Sequence, residues 1–208
     1  MDAVIVGAGP AGLACAIALA QLVKRAHAAG ERMPDLNIAV LEKAGALGEH
    51  SLSGAVVNPR VFRELFPDVP LDALPFRQPI TAEAVYLLSE RRAQKIPTPP
   101  TMHNAGFHTA SLCEIVRWLG DRAEELGVNL FPGFPVEALL VDGEAVRGVR
   151  TTPTGLDRTG GPGPSYQEAT DVAGRITVLA EGTRGMLTRP GVNGSASARP
   201  IPRSLPSA

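Results

Sequence analysis

Residues 4–12 read VIVGAGPAG, and this stretch decides the fold of the chain. The β-branched residues before the glycines predict a short strand, and the apolar run 13–22 after them predicts a helix. Gly7 allows the tight turn between the two, Gly9 lets the backbone approach a ligand without a Cβ in the way, and Gly12 lets the helix pack closely on the strand. The free N–H groups at the start of the helix then favour an anion such as a pyrophosphate.

A second strand-like segment, residues 36–43, contains the acidic residue Glu42 near its end. In dinucleotide-binding folds such an acid accepts hydrogen bonds from the ribose hydroxyls of the adenosine. Glu42 lies farther from Gly12 than the roughly 20 residues usual for the motif. The extra length falls in residues 24–34, which we interpret as an extended helix end and a loop.

The composition of the 208 residues is that of a globular protein, with 44% hydrophobic residues and a net charge of -1. This balance gives no electrostatic reason to expect nucleic-acid binding. No stretch is long and apolar enough to span a bilayer, and the acidic start argues against a signal peptide. The two cysteines, Cys15 and Cys113, are too few for a four-thiolate metal site, and the histidines show no metal-ligand spacing. We therefore predict no metal ligand in this chain.

The rest of the chain alternates short periodic segments with segments rich in glycine and proline. The helices predicted after the first are 60–66 and 109–126, the second stopped by Gly127. The predicted strands are 82–88, 94–96, 128–131, 136–141, 145–151 and 175–180. The predicted loops are 51–59 and 154–165.

The order of these elements is a βαβ unit, an insert, a helix, a hairpin and a returning strand. This order is typical of FAD-binding domains, so we predict an α/β fold: a doubly wound FAD/NAD(P)-binding Rossmann-like domain with a β-hairpin or meander insert. The last strand is followed by Glu181 and Gly182 at its carboxyl end, where ligands bind in parallel sheets. A plain NAD-binding domain does not need this late strand, which favours FAD over NAD.

Taken together, the segments resemble the electron-transfer flavoprotein–ubiquinone oxidoreductases over residues 3–187. The most specific stretches are LSGA at 52–55 and FRELFP at 62–67. The other stretches that carry the resemblance are 4–12, 40–43, 48–55, 118–128, 132–134 and 180–182. The family passes electrons from a reduced electron-transfer flavoprotein to ubiquinone, using FAD and a 4Fe-4S cluster at a membrane surface.

The resemblance implies a set of cofactor-binding residues and no catalytic residue, because electron transfer needs a placed and tuned cofactor rather than a nucleophile. Lys43 and Glu181 also belong to this set of cofactor-binding residues. The implied contacts are Gly7, Gly9 and Gly12 with the pyrophosphate, Glu42 with the ribose, Ser53, Gly54 and Ala55 with the isoalloxazine, Val136 with the adenine side, and Gly182 as a closure over the cofactor.

The resemblance also divides the chain. Residues 1–188 are expected to form the FAD-binding domain, with 80–103 an insert that belongs to a quinone-binding subdomain. Residues 189–208 are expected to be a disordered tail. The chain is much shorter than the family and lacks the cluster ligands, so we expect a truncated fragment that is inactive alone. The family implies a peripheral position at an inner membrane, on the bacterial cytoplasmic face or in mitochondria, while the fragment itself is expected in the cytoplasm.

Two other functions fit the same motifs. The first is another FAD-dependent oxidoreductase, monooxygenase-like or geranylgeranyl-reductase-like, which would take electrons from NAD(P)H directly. The second is a non-catalytic nucleotide-binding remnant, with an absent or redox-silent flavin. The response of a bound flavin to NADPH separates the three.

Overall fold

The computed structural model describes residues 1–183, 185–188 and 198–200, and these form a mixed α/β structure. Its α-helices are α1 (Pro10–Ala28), α2 (Arg60–Leu65) and α3 (Leu112–Glu125), with short 3-10 helices at Leu71–Ala73 and Pro100–Met102. Its strands are β1 (Ala3–Val6), β2 (Ile38–Glu42), β3 (Gly54–Val57), β4 (Val85–Leu88), β5 (Ala93–Ile96), β6 (His108–Ser111), β7 (Asn129–Pro132), β8 (Val136–Asp142), β9 (Ala145–Thr151), β10 (Thr154–Leu156), β11 (Pro162–Gln167), β12 (Asp171–Ala173), β13 (Ile176–Leu179) and β14 (Ala198–Pro200).

The chain divides into two compact units, one of residues 1–51 with 116–208 and one of residues 52–115. The first unit is built on a parallel sheet with the strand order β13-β1-β2-β7. All of β1 is buried, and so are the first four residues of β2. Strands buried on both faces read as continuous apolar runs, which is why the pattern of residues 3–6 and 38–41 predicts this sheet correctly.

The helix α1 follows the glycine turn and contacts β1 and β2. It buries one face against the sheet, formed by Gly12, Leu13, Ala16, Ile17, Ala20 and Val23. Its extension to Ala28 confirms the long helix end expected from the sequence. Its last turn carries Arg25 and His27, cations that suit the negative end of the helix dipole.

The helix α3 begins three residues later than predicted. Residues 109–111 belong instead to β6, which pairs antiparallel with β3. The predicted start was wrong because the backbone N–H and C=O groups of these three residues are used by a partner strand distant in sequence. The end of the helix was predicted correctly, since Gly127 has a φ of 82° and its N–H donates to the carbonyl of Glu124.

A second sheet of the first unit has the strand order β12-β9-β8-β14. The predicted hairpin of β8 and β9 is confirmed, and β12 adds to it antiparallel. The exposed loop predicted over residues 154–165 is wrong, because β10 and β11 form an antiparallel pair there. The glycines of this segment allow the two backbones to approach closely: a Cβ on Gly155 would lie 2.1 Å from the carbonyl oxygen of Ser165.

The second unit contains α2 and two antiparallel strand pairs, β3 with β6 and β4 with β5. The pair of β4 and β5 confirms the hairpin predicted there. The loop predicted over residues 51–59 contains β3 instead, since Gly54–Val57 find a ladder partner in His108–Ser111. The predicted insert, 80–103, lies within this unit.

Three residues of the predicted disordered tail are described, and Ala198–Pro200 form β14, which pairs parallel with β8. The rest of the segment 189–208 lies outside the described residues. Within the part of the chain that the structure describes, no helix combines the length and the apolar character needed to cross a membrane.

Candidate functional site

The glycine turn between β1 and α1 assigns a different role to each of its three glycines. Gly7 has a φ of 104°, and a Cβ there would lie 2.6 Å from the carbonyl oxygen of Ala180. A Cβ on Gly12 would lie 1.9 Å from the carbonyl oxygen of Gly7. Gly9 is open, with no heavy atom of the described residues within 4 Å of its Cβ position. The turn therefore leaves room for a ligand at Gly9 and nowhere else among the three.

The start of α1 is arranged to receive an anion. Gly9 is the N-cap residue in an extended conformation, and no side chain caps the helix. Pro10 occupies the first helical position, where its missing N–H is not needed. The first turn carries no acidic side chain, so its N–H groups and the positive end of the helix dipole are available to a phosphate group.

The structure brings Glu42 to this turn. Its Oε2 accepts a hydrogen bond from the N–H of Ala8 at 2.9 Å, and its Oε1 accepts one from the N–H of Ala44 at 2.9 Å. The imidazole Nδ1 of His50 lies 3.9 Å from Oε1, and the carboxylate side chain is 14% exposed. Two fixed backbone donors hold this acid beside the glycine turn, with lone pairs left for ligand hydroxyls. Lys43, the next residue, is exposed.

The returning strand β13 completes the carboxyl end of the sheet beside β1. The N–H of Ala180 donates to the carbonyl of Val6 at 2.8 Å, so β13 and β1 stay paired up to their carboxyl ends. Gly182 follows with a φ of 77°, a conformation that glycine adopts without strain. The carboxylate of Glu181 accepts bonds from backbone N–H groups farther along the chain.

The remaining predicted residues fall in two places. Val136 begins β8, opposite Thr151, and packs half-buried on a core cluster that contains Val4 and Val6 of β1. Ser53, Gly54 and Ala55 lie in the second unit, at and within β3. The structure thus gathers the glycine turn, Glu42 and Gly182 at one end of the parallel sheet, while the SGA stretch is part of a separate strand pair. In this pair Gly54 lies opposite Ser111 and Ala55 opposite Ala110, and the carbonyl of Ser53 accepts the N–H of Leu112.

Sequence reasoning did not find the backbone contacts that hold Glu42. Besides the N–H groups of Ala8 and Ala44, the segment after β7 crosses the end of β2, where the N–H of Phe134 donates to the carbonyl of Glu42 at 2.8 Å. Almost every residue has a backbone N–H, so the sequence does not show which of them donate to Glu42. The one signal is Gly133, whose φ of 80° is typical of a turn. Its N–H donates to the carbonyl of Ala44 at 2.7 Å.

A cavity of about 210 Å3 lies elsewhere. It is lined by Ala20 and Val23 of α1, by Asp35, Leu36 and Ile38 around the start of β2, and by Leu126 and Gly127, which follow α3. Such sheets bind ligands at the carboxyl ends of their strands, and this cavity lies at the amino end. Among the described residues, no group of three or more histidine, cysteine or acidic side chains could hold a metal ion. Cys15 and Cys113 are both free thiols.

This geometry defines the class: a mixed α/β domain of the dinucleotide-binding Rossmann-like fold, as predicted from the sequence. A family model described as an NAD(P)-binding Rossmann-like domain matches residues 5–69. Among solved structures, a geranylgeranyl bacteriochlorophyll reductase-like protein from Thermoplasma acidophilum has a TM-score of 0.58 at 16% identity, covering 86% of this chain and 38% of that one. The myxobacterial chondrochloren halogenase, an FAD-dependent halogenase, has a TM-score of 0.56 at 19% identity, covering 88% of this chain and 38% of that one.

The particular resemblance is to the electron transfer flavoprotein-ubiquinone oxidoreductases, and it is confirmed by sequence. The chain is 41% identical to the mitochondrial enzyme of Dictyostelium discoideum over 189 residues, which is 90% of this chain and 30% of that one. It is 43% identical to the enzyme of Pseudomonas aeruginosa over 190 residues, which is 88% of this chain and 33% of that one. The chain therefore spans about a third of the length of the relatives it matches.

Proposed function

We propose that the chain binds FAD at the carboxyl end of the parallel sheet of its first unit. The observation that carries the proposal is the open space at Gly9 beside an uncapped helix start, with the carboxylate of Glu42 held next to the same turn. The helix start suits the pyrophosphate and the carboxylate suits the ribose hydroxyls. The residues present fit the cofactor that the resemblance implies.

Each residue of the site has a separate task under this proposal. Gly7 and Gly12 shape the turn, Gly9 admits the phosphates, and Gly182 shapes the segment after β13 beside them. Two further contacts rest on the resemblance alone. They are the contact of Val136 with the adenine side and the contact of Ser53, Gly54 and Ala55 with the isoalloxazine.

We propose further that the protein is an oxidoreductase that passes electrons from a reduced electron-transfer flavoprotein to ubiquinone. The support is the sequence identity with enzymes of that name in bacteria and mitochondria. Bound FAD supplies the redox centre, and the protein supplies its binding, orientation and surroundings. A peripheral position at an inner membrane, on the bacterial cytoplasmic face or in mitochondria, belongs to the same proposal, as do the two partners. The 4Fe-4S cluster is proposed for the full-length family only, since this sequence contains two cysteines.

The visible absorption spectrum of the freshly purified chain is the first test. FAD near one equivalent per chain, released on denaturation and identified by mass, supports the proposal. A folded, colourless chain that ignores added FAD contradicts it and favours the nucleotide-binding remnant. Bleaching of a bound flavin by NADPH favours the monooxygenase-like or geranylgeranyl-reductase-like class.

The second test separates electron acceptance from the full reaction. We expect bound FAD to be reducible by dithionite, because that needs only the cofactor in its site. We expect the chain alone to give no quinone reduction with reduced electron-transfer flavoprotein, since it spans about a third of the relatives that carry that name. Steady quinone reduction by the purified chain would contradict this expectation.

A further inference from the structure

The carboxylate of Glu181 is bonded to three successive backbone N–H groups of its own chain. Its Oε1 accepts the N–H of Met186 at 3.0 Å, and its Oε2 accepts the N–H of Thr188 at 3.1 Å. The N–H of Leu187 lies within reach of both oxygens, at 3.2 Å and 3.1 Å. Hydrogen bonds to an ionised acceptor are stronger than neutral ones, so these contacts fix residues 186–188 against the end of β13.

The same turn is closely packed and reaches the core. A Cβ on Gly185 would lie 2.3 Å from the Oγ1 of Thr188 and 2.7 Å from the Oε2 of Glu181. Leu187 is 4% exposed and joins a core cluster with Val4 and Val6, the residues of β1 that lead into the glycine turn. The carboxylate therefore links the segment after β13 to the strand that positions the candidate phosphate site.

We propose that Glu181 is a positioning residue, and this rests on the proposed binding of FAD. Its carboxylate holds residues 185–188 in place, and the N–H of Gly185 donates to the carbonyl of Gly182 at 3.3 Å. The contact thereby fixes Gly182, which follows the strand end that packs on Gly7. Direct contact of a carboxylate with a pyrophosphate would be repulsive. Three backbone N–H groups hold the carboxylate against its own chain, so Glu181 acts through that backbone and not on the cofactor.

The test compares Glu181→Gln and Glu181→Ala with Glu144→Gln, a matched loss of charge at the exposed turn between β8 and β9. Amide hydrogen exchange at residues 186–188 is measured without FAD, and the Kd for FAD is measured by fluorescence titration. In Glu181→Ala we expect these amides to exchange at least about tenfold faster and the Kd to rise about tenfold, because charged hydrogen bonds are lost. Glu181→Gln keeps one acceptor oxygen and is expected between wild type and Glu181→Ala, while Glu144→Gln matches wild type.

Slow exchange of the amides of α1 shows that a variant is folded. If Glu181→Ala is not folded, the test is made with Glu181→Gln. Unchanged exchange at 186–188 contradicts the claim that the Glu181 carboxylate holds these residues in place. Faster exchange with an unchanged Kd for FAD overturns the positioning role. A wild-type chain that binds no FAD contradicts the proposed function instead. The exchange data then still test whether Glu181 holds residues 186–188 in place.

Discussion

The strands of the two compact units differ sharply in burial. In the first unit every residue of β1 is buried, and Ile5 has no exposed surface. In the second unit three of the four residues of β4 are exposed, and Leu88 is 74% exposed. Both strands are rich in apolar residues, so β-propensity does not separate them. Burial on two faces stabilises the first, whereas an isolated antiparallel pair has little beyond its backbone ladder.

The largest loss of stability is expected from a substitution at Gly12, in the buried first unit. Valine at this position would place its Cβ 1.9 Å from the carbonyl oxygen of Gly7, a main-chain atom that cannot move without opening the turn. We expect Gly12→Val to lower the free energy of unfolding by about 3 kcal/mol or more, the upper range for overpacking. Urea denaturation followed by far-UV circular dichroism measures it. Wild-type stability in this variant would contradict the packing described for α1 and β1.

A matched pair of truncations sharpens the contrast between buried and exposed strands. Leu140 in β8 is 1% exposed and Leu88 in β4 is 74% exposed. We expect Leu140→Ala to cost about 2–5 kcal/mol of unfolding free energy, from lost burial and a cavity. Leu88→Ala is expected to change it by about 0.5 kcal/mol or less. Equal losses in the two variants, measured by the same urea titration, would mean that Leu88 is covered in solution.

Gly9 separates ligand binding from folding. An added methyl group meets no described heavy atom within 4 Å, and the φ of -76° suits alanine. We expect Gly9→Ala to weaken FAD binding more than about tenfold while changing the unfolding free energy by about 1 kcal/mol at most, the scale of an N-cap change. Fluorescence titration and urea denaturation of the same sample measure both. Unchanged FAD affinity would place the phosphates away from this turn.

A smaller effect is expected from the ion pair between β9 and β12. The guanidinium of Arg150 donates to both oxygens of Asp171, with Nη2 at 2.8 Å from Oδ2. We expect Asp171→Asn to cost about 1 kcal/mol at this partly exposed site. The guanidinium of Arg150 loses its counter-charge, and one of its two acceptor oxygens is replaced by an NH2 donor. Asp142→Asn is the control, since Asp142 lies 3.8 Å from Arg147 with its side chain 69% exposed. A thermal denaturation series that ranks the two variants equally would contradict the expectation.

The smallest effect is a pH dependence in the second unit. The backbone N–H of Asn104, followed by the side chain of His103, lowers the pKa of Glu83 below its usual 4.5. A carboxyl group whose pKa is lower in the folded state stabilises that state when the pH is above its pKa in the unfolded chain. This stabilisation is lost as the pH falls through its pKa in the folded state. We therefore expect the exchange protection of the Asn104 amide to fall as the pH is lowered below 4.5.

Glu83→Gln tests the same contact at constant pH. It should show weak protection of the Asn104 amide at pH 6 and little further change on acidification. Glu90→Gln, at the exposed turn between β4 and β5, should behave as wild type. A fall in protection that persists in Glu83→Gln would assign the pH dependence to another group.

What the sequence predicts well is local in origin. The glycine turn, the buried strands and the amphipathic helices follow from residue spacing and apolar period, and Gly127 marks a helix end by its φ. What it misses depends on distant partners. Residues 54–57 become a strand only because 108–111 pair with them, and the glycines of 154–167 permit close strand approach where they suggest a loop. The donors to Glu42 are main-chain atoms, which residue identity does not reveal.

The position of β13 beside β1 also sets an order of events during synthesis. One edge of β1 is covered early by β2, but its other edge stays unpaired until residues 176–179 have been made. At the usual rate of translation that interval is on the order of ten seconds. During it the nascent chain presents an apolar strand edge able to pair with another chain. We therefore expect the yield of folded protein to depend on chaperones and on growth temperature more than its final stability would suggest.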